Sequence, residues 1–132
     1  MVSLTNDQYE MLHFYYHLLN TIEEGFEYVI ESFSNLELTE GENLFKDILS
    51  AFYHIDSSHL TLCAFLEEET GMVGEIRKFD QVILTLEGEP AIFTTIEQHY
   101  EFVKNQLFPA FLAWKEMVQA KLQPYITHEK TR

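Results

Sequence analysis

Apolar residues recur at Leu12, Tyr15, Leu19, Ile22, Phe26, Val29 and Phe33, in steps that alternate between three and four. On a helix of 3.6 residues per turn that spacing draws one continuous stripe down a single face. A second stripe runs through Phe45, Ile48, Phe52, Ile55, His59, Leu62 and Leu66. A third takes Met72, Ile76, Phe79, Ile83 and Leu86, and a fourth Ile96, Tyr100, Val103, Leu107, Ala110, Trp114 and Met117. Four amphipathic helices with short connections bury their stripes most simply against one another. The pattern therefore predicts an all-α, antiparallel, up-and-down four-helix bundle.

Polar punctuation sets the expected boundaries. Thr5, Asn6 and Asp7 are capable N-caps for the first helix, which the pattern carries to about Ser34 and Asn35. Gly25, beside Phe26, offers a place for a neighbouring helix to come close. Thr39 with Glu42 has the spacing of a capping box for the second helix, and Thr70-Gly71 offers a turn before the third. The third helix is the short one, ending before Gly88-Glu89-Pro90. Thr94 with Glu97 suggests a further capping box, which leaves Pro90 to Phe93 as an extended strap. Pro109 lies inside the fourth stripe, where its missing N–H predicts a kink, and Pro124 is expected to stop the helix. Residues 1–126 thus read as a single helical bundle domain and 127–132 as a frayed C-terminal tail.

Composition narrows the function classes. The 132 residues carry 22 acidic and 8 basic side chains, a formal charge of −14. A field of that sign repels nucleic-acid phosphates and anionic membrane surfaces, and attracts cations and basic proteins. Cys63, the single cysteine, sits in an apolar run and reads as a buried thiol. The first ten residues have no basic or apolar segment of a signal peptide, and no apolar run approaches the length of a membrane span. A cytoplasmic protein is the expectation.

Two constellations have chemical potential. Glu10 with His13, and Asp56 with His59, repeat a carboxylate-x-x-His spacing that di-iron bundles use when all ligands point inward. The stripe register turns only His59 inward, so these four are weak metal candidates and no cofactor is implied. A seam histidine needs partners for two ring nitrogens, with Asp56, Tyr15 or Tyr100 in reach, and it can set helix register. No phosphate loop, dinucleotide fingerprint or nucleophile elbow is present, which argues against an enzyme. The second constellation is surplus apolar surface. Phe14-Tyr15-Tyr16 spans too wide an arc for one stripe, and Leu107 to Leu112 is apolar nearly all round. Phe14, Phe108, Phe111 and Leu112 are the expected contact surface for a protein partner or a homodimer.

The stretch Ile22-Glu23-Glu24-Gly25-Phe26-Glu27-Tyr28 and the run Leu107-Phe108-Pro109-Ala110-Phe111 through Trp114-Lys115 resemble a family of small uncharacterised four-helix-bundle proteins from Bacillus-like Firmicutes. The resemblance covers most of the chain. It implies a helical bundle and carries no activity. The expectation is therefore a non-enzymatic protein-interaction module, an adaptor or chaperone-like binder. The alternative is a metal- or small-ligand-binding bundle centred on His59 and Asp56.

Overall fold

The computed structural model describes residues 3–35, 37–87 and 95–127, and among them every regular element is helical. The elements are α1 (Asn6–Ser32), α2 (Gly41–Phe65), α3 (Thr70–Arg77), α4 (Phe79–Glu87), α5 (Ile96–Phe102), a π-helical turn (Val103–Leu107) and α6 (Phe108–Thr127). The pairs α3–α4 and α5–α6 are interrupted arms, so the described residues make a four-helix bundle. Around it α1 packs on α2 and α6, α6 packs on α3 and α4, and α2 meets α3.

The first helix starts as its polar residues dictate. Thr5 is the N-cap, its Oγ1 accepting from the Gln8 N–H at 3.2 Å while Gln8 Oε1 accepts from the Thr5 N–H at 2.9 Å. The second helix departs from expectation. Glu40 occupies the cap position and its side chain caps no backbone N–H, so Thr39 and Glu42 form no capping box. Gly41 explains the entry: a Cβ there would come within 2.7 Å of Ser32 Cβ, so only glycine lets the chain turn back this tightly against the end of α1. Gly25 also serves close approach, with Ile48 Cδ1 3.3 Å from where its Cβ would lie.

All seven positions of the second stripe are buried, through Leu66 just past α2, and six of the seven of the first, with Phe33 half-buried just past α1. At their centre Phe52 stacks on Phe111 at 5.6 Å between ring centroids, and Phe26 sits 5.5 Å from Phe111. The turn expected at Thr70-Gly71 falls earlier, where the Glu69 N–H reaches the Leu66 carbonyl at 2.8 Å. The third arm breaks at Lys78, and Val82 takes the buried place expected of Ile83. Trp114 stabilises that break. Its indole N–H donates to the Glu75 carbonyl at 2.9 Å and faces that of Ile76 at 3.3 Å, tying the interruption to α6.

The fourth arm differs most. Thr95, not Thr94, caps α5, accepting from the Gln98 N–H at 3.1 Å; Thr94 itself, the strap at 90–93 and residues 128–132 lie outside the described residues. The irregularity expected at Pro109 takes the form of the π turn just before it, closed by the Phe108 N–H on the Val103 carbonyl. Pro109 offers no N–H to the Asn105 carbonyl, and a widened turn is a common accommodation. A π turn takes four residues to come round with little angular drift, so the next buried step is again four. Phe111 and Val118 are buried where Ala110 and Met117 were expected, and Ile96 is 69% exposed rather than in the core. Pro124 does not stop the helix. It lies on the exposed side of the last turns, which the burial of Leu122 and Tyr125 holds to Thr127.

Candidate functional site

The third arm is drawn towards α6 by Trp114 and by the packing of α4 on α6 and the π turn. Between it and the C-terminal half of α2, outside the contact of His59 with Phe79, opens a cleft of about 980 Å3. His59 and Cys63 line it from α2, and both are nearly buried, His59 at 8% exposure. Leu60 and Val73 give it apolar walls. Asp56, Glu67 and Asp80 surround it with carboxylates, against the single guanidinium of Arg77.

His59 is the one inward-facing histidine the stripe predicts. Its Nε2 lies 2.8 Å from the Tyr15 hydroxyl, with the rings of Phe79 at 5.3 Å and Trp114 at 5.9 Å around it. Of the partners weighed from sequence, Tyr15 is the one that bonds it; Asp56 is exposed at the cleft. Burial lowers the His59 pKa to about 4, partly opposed by the negative charge of Asp80. Burial also raises the Tyr15 hydroxyl well above the ordinary phenol range, with Cys63 adding to the shift. At neutral pH the pair is thus a phenol and a neutral imidazole.

The metal constellation does not assemble. Glu10 is exposed on α1, His13 is half-buried beside His17 with their rings 6.3 Å apart, and His59 points into the core. Among the described residues no three histidine, cysteine or acidic side chains come together as a metal ligand set.

The expected contact surface also divides. Phe14 is 71% exposed, beside a shallow apolar groove between α1 and α2 lined by Met11, Leu18, Ile55 and Leu62. Phe111 is fully buried, so it belongs to the core and not to a surface. Phe108 is half-buried with its ring 5.0 Å from that of Phe26, and Leu112 is also half-buried. The apolar run from Leu107 to Leu112 lies where α6 packs on α1, on α4 and on the π turn.

A polar row joins α1 to α6 that the apolar pattern did not suggest. Lys115, buried, pairs with Glu23 at 2.8 Å and donates to Gln119 Oε1 at 2.9 Å. Gln119 Nε2 donates to the Tyr16 carbonyl at 3.1 Å and to Asn20 Oδ1 at 3.0 Å, and the Tyr16 hydroxyl donates to Gln123 Oε1 at 2.9 Å. The available signal was the i, i+4, i+8 spacing of Lys115, Gln119 and Gln123 opposite Tyr16, Asn20 and Glu23.

Among the described residues no helix is long and apolar enough to cross a membrane. No solved structure matches the chain. It is 29% identical over 120 residues to the protein YvzG of Bacillus subtilis (strain 168), described as uncharacterized, a match that spans 91% of this chain and 95% of that relative. A family model described as "Domain of unknown function (DUF8042)" matches residues 10–117, and the chain belongs to that family.

Proposed function

We propose that this bundle is a non-enzymatic cytoplasmic interaction module, an adaptor or chaperone-like binder, that meets a protein partner through the α1–α2 face around Phe14. The exposure of Phe14 carries this reading. A phenylalanine standing 71% in solvent next to an apolar groove is the material of an interface anchor. The charge of −14 selects the kind of partner. Two copies of this chain would repel, whereas a basic protein would be steered in and held. The state of His59 supports the absence of general-base chemistry. With Nε2 engaged by Tyr15 and burial lowering its pKa to about 4, the ring is a weak base at neutral pH.

The test is Phe14→Glu. The variant keeps the helical circular-dichroism signal and melting temperature of the parent, because the side chain is outside the core. It loses a basic partner captured by the parent, and in the parental complex Met11 and Phe14 become protected from hydroxyl-radical oxidation. A partner that binds both proteins equally, or a parental dimer in sedimentation equilibrium, removes this reading.

A further inference from the structure

We propose that the cleft between α2 and the α3–α4 arm binds a small organic cation that carries a hydrogen-bond acceptor on an apolar body. The site is built independently of the Phe14 face.

The floor of the cleft supplies the first requirement. Tyr15 is 3% exposed, so its O–H must find an acceptor within the protein, and His59 Nε2 is its partner among the described residues. Tyr15 therefore donates and Nε2 accepts, which places the imidazole proton on Nδ1. That Nδ1 has no hydrogen-bond partner among the described residues, and it is not among the side-chain atoms sealed from solvent. Phe79, Trp114 and Tyr15 close the core side of the ring, so its open side is the cleft it lines. A nine-tenths-buried imidazole thus presents one fixed N–H to whatever enters. Such a donor, aimed into a cavity and already oriented by a buried hydroxyl, asks for a carbonyl, ether or hydroxyl oxygen.

The rim and walls supply the other two. Three carboxylates, Asp56, Glu67 and Asp80, face one guanidinium, Arg77, so the mouth favours positive charge within a molecule that is itself strongly negative. An anion would gain Arg77 and lose to the three carboxylates. A metal ion finds no three convergent ligands among the described residues. Leu60, 82% exposed at the lip, and Val73 opposite it offer apolar surface to the body of the ligand. The volume, about 980 Å3, is in the range of small-molecule sites.

Tyramine is the probe, with a primary ammonium, an aromatic body and a phenolic oxygen. Its control is 4-hydroxyphenylacetate, the same body with the charge reversed. Long-range nitrogen–proton spectra of the labelled protein read the His59 ring directly. The expected results are a proton on Nδ1, a saturable shift of that nitrogen and of the Val73 methyl groups as tyramine is added, and no such shift with 4-hydroxyphenylacetate. Asp56→Asn with Asp80→Asn weakens tyramine binding by about ten-fold and leaves the Tyr15–His59 signals in place, so loss of binding is separated from loss of fold. Phe14→Glu leaves the tyramine titration unchanged, so the fate of the partner surface does not decide this one. A proton on Nε2, no saturation at millimolar tyramine, or equal binding of 4-hydroxyphenylacetate overturns the proposal.

Discussion

His59 and Tyr15 show how one buried polar pair changes what a substitution does. The histidine occupies an apolar stripe position, so His59→Leu taken alone looks like an improvement of the core. It strands the Tyr15 hydroxyl, however, and an unpaired buried O–H costs about 1–3 kcal/mol. The expected result is that His59→Leu lowers stability to urea by about that amount, while Tyr15→Phe with His59→Leu recovers most of it. The same pair gives acid sensitivity. His59 has a folded pKa of about 4 against 6.5 unfolded, so between those values the unfolded chain binds more protons than the folded one. Stability contributed by the neutral ring is present above about pH 6.5 and is lost as pH falls towards 4, by about 3 kcal/mol in full. The double variant lacks this slope, and urea melts of both proteins across that window measure the difference. From sequence, His59 was recognisable as an inward histidine because six apolar neighbours fix its register. Its choice of Tyr15 over Asp56 needed the fold, since a residue 44 positions away competes with one a single turn back.

At the scale of the element, legibility followed regularity. The α1 and α2 stripes run without interruption, and each predicted residue settles the next. The fourth stripe passes through a π turn, and a local change of pitch leaves no mark in a pattern of threes and fours. Ala110 and Met117 were natural choices for it, and Phe111 and Val118 took their places only because the turn before Pro109 is wide. The shift moves Phe111 from an expected contact surface into the core. Caps were legible where a side chain makes them, as at Thr5, and not at the start of α2, where a glycine's missing Cβ takes that role. Two glycines test this contrast. Gly41→Ala drives a methyl into Ser32 and is expected to cost about 1–3 kcal/mol. Gly74→Ala, on α3 with nothing within 4 Å of the new methyl, is expected to stabilise by about 0.5–1 kcal/mol. Thermal denaturation of the two variants reads opposite signs.

Over the whole molecule, net charge and the polar row act in different ways. A charge of −14 on 132 residues opposes compaction, so adding sodium chloride from about 10 mM to about 150 mM, which shortens the screening length from about 30 Å to about 8 Å, is expected to raise the melting temperature. A fall would mean that the few ion pairs, Lys115–Glu23 foremost, outweigh the repulsion. The row from Glu23 through Lys115, Gln119 and Gln123 specifies rather than drives. Four apolar stripes alone would tolerate α6 sliding along α1, but a slip would leave the Lys115 ammonium buried without Glu23. Fold class was readable from the stripes, and so were Phe14 as a surface residue and His59 with Asp56 as a centre, while the cleft that joins these two to the third arm was not. The cleft depends on where the third arm sits, and that is set by the Trp114 indole N–H together with the packing of α4 on α6 and the π turn.

That indole also gives the molecule a built-in optical gauge. Trp114 is the one tryptophan in the chain, fixed between the broken arm and α6 with its ring 4.6 Å from Phe79 and 5.9 Å from His59. Its fluorescence comes from the core side of His59, one ring behind the cleft. Protonation of His59, a guest in the cleft, or release of the third arm would each alter emission without any label, and each at a wavelength where the seven tyrosines are silent.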